Sequence, residues 1–234
     1  MTKNYWKFSK AGLEKRIGKI ERIYNSLTDN VSELHVFVSD GNRKLGAIPS
    51  VSLIPHLDCV NNGSCVLSCY DLRHDTIYEE VIKSRCINSI LCQYDRERYF
   101  REIDAYLAYR FPRAFRWHIG GDIKDEPYLS SMCDIAERHP EVKFLCFTKN
   151  FPVCNAWLDN GKTIPQNLHI LFSGWLGMKM PNPHRFPEAH PVFAYGTSAP
   201  DGTKLCTGNC TECLKEDKMC WNLKPGEAVG FIAH

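Results

Sequence analysis

Apolar residues recur at spacings of four and three through Leu13, Ile17, Ile20, Tyr24 and Leu27, with charged residues between them. That pattern predicts a helix over about 10–28 with one buried stripe, lying on the outside of a larger body. His35-Val-Phe-Val-Ser39 then reads as a short strand, rich in β-branched and aromatic residues. Gly41-Asn42 makes a turn, and Lys44 to Leu53 forms a second extended segment interrupted by Pro49. Helical spacing returns at Ile77, Val81 and Ile82, in a segment that runs to about Cys92. Asp95 fits the N-cap of the next helix, which carries Tyr99, Ile103, Tyr106 and Leu107 and stops before Pro112.

From about residue 115 the pattern alternates. Phe115-Arg-Trp-His-Ile119 is a strand running into Gly120-Gly121-Asp122, and Pro127 opens a helix with Leu129, Met132, Cys133 and Ala136. The strand Val142–Phe147, a helix with Trp157 and Leu158, and the strand Leu168–Phe172 follow, with a further strand at Val192–Tyr195. Strands alternating with helices over short connections imply parallel strands joined by right-handed crossovers, an α/β sheet or a partial barrel. Ligands collect at the carboxyl ends of such strands, which here carry Gly120, Gly121, Asp122, Thr148, Lys149 and Ser173. The period of two puts Arg116 and His118 on one face of their strand, opposite Phe115, Trp117 and Ile119. Residues 174–190 read as one long loop of the kind that carries function.

Composition narrows the classes. A chain of 234 residues with 44% hydrophobic and 24% charged residues suits one sizeable soluble domain, or one domain with a small appendage. A net charge of +2 gives no electrostatic case for nucleic acid or anionic membrane. The basic residues of the first helix read as a solvated face. No apolar run is long enough to span a bilayer, and Met1-Thr-Lys-Asn-Tyr-Trp6 lacks the apolar core of a secretory signal. A cytoplasmic protein is expected.

The 12 cysteines change the picture. Cys86, Cys92, Cys133, Cys146 and Cys154 are scattered and read as core residues, while seven others fall into two clusters. Cys59, Cys65 and Cys69 share a loop in which Asn61, Asn62 and Gly63 favour tight or left-handed backbone. Three thiolates fall one short of a closed tetrahedral zinc site or a fully ligated cubane, so the loop either finds a fourth ligand elsewhere or leaves a position open. Cys206, Cys210, Cys213 and Cys220 form a set of four in a polar tail, matching a closed site for zinc or a cluster. Gly120 and Gly121 let a ligand approach the backbone, and Asp122 can receive a cationic amino group.

Together these features resemble the radical SAM-like barrel proteins. Cys59-x5-Cys65-x3-Cys69-Tyr70 looks like their cluster loop, although that family spaces its cysteines by three and then two residues. Gly120-Gly121-Asp122 resembles their Gly-Gly-Glu segment, with Asp in place of Glu. More closely, Pro49-Ser-Val-Ser-Leu53, Cys69-Tyr70, Arg116 to Asp122, Phe147-Thr-Lys149 and the late cysteines are similar to a phage and bacterial family called gene product 88, over most of residues 41–234. The resemblance implies a partial (β/α) barrel of radical SAM type with an N-terminal helix and a cysteine-rich C-terminal segment. The corresponding units are residues 1–40, 41–198 and 199–234.

The implied function is a radical SAM-like iron–sulfur enzyme. A [4Fe-4S] cluster on Cys59, Cys65 and Cys69 leaves one iron open, and S-adenosylmethionine is cleaved reductively. Asp122, with Gly120, Gly121 and Ser173, binds that cosubstrate; Arg116, His118 and Lys149 line the cavity. The late cysteines hold a second cluster or zinc. A reductant of flavodoxin or ferredoxin type is the implied partner, and the substrate is left open. The alternative is a non-catalytic, metal-stabilised binding protein that presents its basic N-terminal helix.

Overall fold

A computed structural model describes residues 7–61, 63, 65–75, 78–193 and 196–232. Five strands lie side by side in chain order and run parallel: Ser50–Val51 (β1), Ala114–Trp117 (β2), Lys143–Thr148 (β3), Leu168–Ser173 (β4) and Glu188–Phe193 (β5). Gly196–Thr197 (β6) folds back antiparallel on β5. Lys204–Leu205 (β7) and Ala228–Ile232 (β8) extend the sheet, with β8 parallel to β5 and β7 parallel to β8. Among the described residues the result is one mostly parallel, eight-stranded sheet that ends at β1 and β7 without closing on itself. The helices are Lys10–Leu27 (α1), Tyr70–Asp75 (α2), Glu79–Tyr94 (α3), Arg96–Arg110 (α4), Glu126–Arg138 (α5), Phe151–Asp159 (α6) and Cys210–Lys215 (α7).

Side-chain alternation makes the sheet two-sided. On one face Phe115, Trp117, Phe144, Cys146, Ile170 and Phe172 pack against apolar residues of α3, α4, α5 and α6. On the other, Ala114, Leu145, Leu171, Ala189 and Val229 pack against Leu45, Ile48, Cys213, Trp221 and Leu223. The C-terminal segment is therefore no polar tail. It covers the second face, and Cys213 and Trp221 are buried in that core. Helix α1 forms a third layer, where Phe8 and Ile20 meet Ile54, Leu72, Ile82 and Cys86. The five scattered cysteines are all buried, as expected of core thiols.

Local signals held where a single residue decides geometry. Asp95 caps α4 as expected, accepting the Arg98 N–H at 3.2 Å; Asp125, not anticipated from the sequence, caps α5 by accepting that of Tyr128 at 2.9 Å. The expectation for His35–Ser39 needs correction. The segment is extended but pairs with β1 only through an isolated bridge between Ser39 and Ser50. Its partner is instead a side chain on α3. Asn88 accepts the Phe37 N–H at 2.8 Å and donates to the carbonyls of Phe37 and Ser52, each at 2.9 Å. An amide side chain offers the same donor and acceptor as a neighbouring strand, so strand-like residues settle without one.

Other boundaries moved too. Lys44 to Leu53 contributes only the two residues of β1, because a turn bridged by Asn42 and Gly46 precedes it. The strand expected at Val192–Tyr195 starts earlier, at Glu188, which shortens the preceding loop to 174–187. Ala194 and Tyr195 lie outside the described residues, as does Ile77. Among the described residues no helix is long and apolar enough to cross a membrane.

Asn88 is buried and serves three backbone groups. Leaving buried polar groups unpaired costs about 1–3 kcal/mol each. Asn88→Ala should therefore lower stability by about 2–4 kcal/mol in urea denaturation. A loss below about 0.5 kcal/mol would mean that other contacts hold residues 34–39, since surface changes commonly stay in that range.

Candidate functional site

The thiol loop begins directly after β1. His56 and Asn61 adopt left-handed backbone, at φ of 72° and 53°, which turns the chain back over the strand ends. The Cys59 Sγ accepts the N–H of His56 at 3.3 Å, and the Gly121 N–H also donates to it. The Cys69 Sγ accepts the Leu72 N–H at 3.4 Å. Cys59 and Cys65 both lie within electrostatic reach of Cys69. Burial, with Asp122 nearby, pushes the Cys59 thiol up to about 12; burial, with Asp71 nearby, does the same for Cys69. Asn62 and Ser64, in the middle of the loop, lie outside the described residues.

Gly120, Gly121 and Asp122 stand at the carboxyl end of β2, as expected, but their surroundings belong to the chain itself. A β-carbon on Gly120 would fall 2.1 Å from Asp71 Oδ2 and 2.7 Å from Arg85 Nη1. One on Gly121, which has φ of 83°, would fall 2.5 Å from Leu53 Cβ. The glycines admit the chain after β1 and a buried ion pair, a requirement that accounts for both without a ligand. Arg85 donates to the two carboxylate oxygens of Asp71 at 2.5 and 2.8 Å.

Asp122 is also engaged. Its Oδ1 accepts the Ile123 N–H at 2.8 Å and the Thr148 hydroxyl at 2.5 Å, and its Oδ2 accepts the Lys149 N–H at 2.9 Å. Burial nevertheless raises its carboxyl to about 6, against the opposing pull of those donors. The Lys149 ammonium reaches across to Ser173 Oγ at 3.1 Å, which joins the ends of β3 and β4.

Arg116 and His118 do not share a face. His118 lies beyond the end of β2 with φ of 53°, which breaks the alternation and turns its ring into the helix layer. There its Nε2 meets the Tyr128 hydroxyl at 2.8 Å, its Nδ1 lies 3.7 Å from Cys146 Sγ, and Tyr128 meets Tyr99 at 3.0 Å. Burial holds the imidazole down at about 3, so it is neutral. Arg116 stays on the opposite face, with its guanidinium 4.1 Å over the Phe147 ring and within electrostatic reach of Tyr70, Cys210 and Cys220.

The late cysteines sit on that second face. Helix α7 is tied to the turn before β1, since the Cys210 N–H donates to the Lys44 carbonyl at 3.0 Å and Thr211 Oγ1 to that of Leu45 at 2.8 Å. Cys206 donates its N–H to the Gly230 carbonyl at 2.8 Å, and Thr207 Oγ1 lies 3.7 Å from Cys213 Sγ. Cys206, Cys210 and Cys213 all act electrostatically on Cys220, whose thiol burial pushes up to about 12.

The fold thus gathers the first thiol loop with Gly121, Asp122, Lys149 and Ser173 at the strand ends. It places Arg116 and the late thiols on one sheet face and His118 in the other layer. The sequence reading did not single out Asp71, Arg85, Asp58 or Lys124. Asp58 accepts the Ile54 N–H at 3.0 Å, the Ser89 hydroxyl at 2.6 Å and the Lys124 ammonium at 2.5 Å, which anchors the start of the loop. A signal for Arg85 was present: one arginine stands between Ile82, Cys86 and Ile90, in a stripe that otherwise faces the core.

In donor chemistry the thiols suit iron–sulfur or zinc binding, and N–H groups already point at Cys59 and Cys69 sulfurs as they do at cluster thiolates. Among the described residues, however, no three His, Cys, Asp or Glu side chains converge closely enough to hold a metal ion. Metal binding at such thiols is commonly coupled to folding of the segment that carries them.

Sheet, helix layers and strand-end loop define an α/β protein with two groups of thiols, one at the strand ends and one beneath the sheet. The chain belongs to the Gene product 88 family, whose model matches residues 22–204. The match takes in the last turns of α1, which the resemblance had left outside, and stops before Cys206. No curated protein and no solved structure matches the chain.

His118 yields a pH test. Its folded value near 3 lies below the ordinary 6.5, so between these limits the unfolded chain binds the extra proton. Its contribution is therefore present above about pH 6.5 and lost as pH falls toward 3. Each unit is worth about 1.4 kcal/mol. Urea melts of wild type should weaken steadily from about pH 6.5 to 4, and His118→Gln, less stable at pH 7, should show a flatter slope. Parallel slopes would mean that the ring is solvated.

Proposed function

We propose that this protein is a radical SAM-like iron–sulfur protein, with Cys59, Cys65 and Cys69 holding a [4Fe-4S] cluster that leaves one iron open to S-adenosylmethionine. One observation carries the reading. The three-thiol loop follows the first of five parallel strands in chain order, and its Cys59 lies beside Gly121, Asp122 and Lys149 at the strand ends. On this reading β1 to β5 are the strands of a partial (β/α) barrel of radical SAM type. When bound, the cluster supplies the electron for reductive cleavage of the sulfonium, delivered from a reductant of flavodoxin or ferredoxin type. Asp122 Oδ2, which accepts a hydrogen bond from Lys149 N–H, would take the methionine amino group. The Lys149 ammonium, held by Ser173, would meet the methionine carboxylate.

A second reading is favoured by a different observation. Gly120, Gly121 and Asp122 already have close partners within the chain, and Cys213 is part of the core. A metal-stabilised binding protein without turnover would need no more than this. In either reading Cys206, Cys210, Cys213 and Cys220 hold zinc or a second cluster.

Anaerobically purified protein should be brown, absorb near ~400 nm and contain acid-labile sulfide, as cysteine-ligated clusters do. Stoichiometric zinc without sulfide after growth in ample iron would sink the iron–sulfur reading. Asp122→Ala tests the cosubstrate. Truncating one side of a desolvated charged pair typically costs about 2–5 kcal/mol, so the affinity for S-adenosylmethionine should fall roughly thirty-fold or more. The cluster itself should persist in the variant. If S-adenosylmethionine leaves the EPR spectrum of the reduced wild type unchanged, the second reading stands instead.

A further inference from the structure

Between β4 and β5 a loop takes the place of a helix, with Phe186, Met178 and Met180 packed on the helix-side core. The other connections within the run from β1 to β5 carry helices, whereas β4 to β5 is joined by the loop 174–187. On the side of this loop Glu188 and His190 point away from Ala189, which faces the cysteine segment. His190 is buried, and its Nε2 lies 2.7 Å from Glu188 Oε2. The other oxygen of Glu188 accepts from Asn182 Nδ2 at 2.9 Å, and Asn182 is itself fixed by hydrogen bonds to both backbone groups of Phe186. On the opposite side of the ring, His190 Nδ1 lies 3.1 Å from the hydroxyl of the exposed Ser198.

The direction of these bonds follows from the groups. A carboxylate only accepts, so whenever the ring is neutral Nε2 carries the proton and Nδ1 presents a lone pair. The Ser198 hydroxyl then donates to Nδ1. That is the order a nucleophile, its general base and an orienting carboxylate require. The turn that presents Ser198 is itself held, since Thr197 Oγ1 donates to the Pro191 carbonyl at 2.8 Å and accepts the Ala199 N–H at 3.0 Å. Gly174 keeps the approach to the base clear, because a β-carbon there would stand 3.1 Å from Nδ1.

We propose that Ser198, His190 and Glu188 form a hydrolytic site for carboxylic esters, built without any of the cysteines. Ser198 Oγ bonds to the ester carbonyl carbon as its proton passes to His190 Nδ1. The carbon–oxygen bond to the alcohol then breaks, and that alcohol leaves with the proton from Nδ1. Water repeats the sequence on the acyl-serine, releasing the carboxylic acid and restoring the hydroxyl. Ser198 and His190 are the catalytic residues; Glu188 is a positioning residue that fixes the tautomer.

The test uses the full chain, a fluorophosphonate probe and p-nitrophenyl acetate. In the wild type Ser198 Oγ should bond to the probe's phosphorus and displace fluoride, leaving one phosphonyl group that mass spectrometry maps to Ser198. Ser198→Ala, on an exposed turn, should keep its circular dichroism, take no label and hydrolyse the ester at least a hundred-fold more slowly. Glu188→Gln should still be labelled at Ser198, but at least ten-fold more slowly, a readout that a purely structural role would not move. An unlabelled wild type, a label elsewhere, or equal hydrolysis by wild type and Ser198→Ala overturns the proposal and leaves Ser198 as a tie between the turn and β5. Neither measurement involves the cysteines, so the outcome is independent of the iron–sulfur reading.

Discussion

The site depends on one buried ion pair. Asp71 and Arg85 are nearly excluded from solvent and meet through two parallel hydrogen bonds, a geometry that planar guanidinium and carboxylate groups match well. Such a pair repays its desolvation only while both members are present, and removing one typically costs about 3–5 kcal/mol. Here the pair does more than stabilise. Asp71 belongs to the helix that follows Cys69, Arg85 to α3, and both press on the backbone of Gly120. The end of the thiol loop, the helix layer and the end of β2 are therefore fixed relative to one another by a single contact. Asp58, held by Ser89 and Lys124, does the same at the start of the loop.

Both faces of the sheet are occupied, one by helices and the other by the chain's own C-terminal segment. The thiol loop, Asp122 and Lys149 meet at the strand ends. The two groups of thiols differ in place: one lies at the strand ends, and the other lies among apolar side chains beneath the sheet.

Much of this was legible in the sequence. Near-continuous apolar runs in β3 and β4 announce a sheet buried on both faces, and Asp95 and Pro127 mark helix starts. What stayed hidden depended on long-range partners. His35–Ser39 has strand composition, yet its partner is the Asn88 side chain, about fifty residues on. His118 obeys the strand period in sequence and departs from it because of one left-handed residue angle. Gly120 and Gly121 read as room for a ligand until Leu53 and the Asp71–Arg85 pair prove to fill that room. Strands β7 and β8 went unread because the cysteines around them drew the segment toward a tail, although Ala228-Val-Gly-Phe-Ile232 is a plain apolar run. Ser198 and His190 lie eight residues apart, joined by a reversal of the chain that no motif announces.

The sheet's failure to close has a consequence for how copies of this chain meet in solution. An open parallel sheet carries two free margins, each a row of backbone groups able to recruit another chain. Here each margin is only two residues long, β1 at one side and β7 at the other. The first is overlaid by the bridge from Ser39, and the second bears the charged Lys204 and is preceded by Pro200. Margins so short and so interrupted give a stray strand almost nothing to align with. The molecule gains by brevity the resistance to fibrous association that a barrel gains by closure.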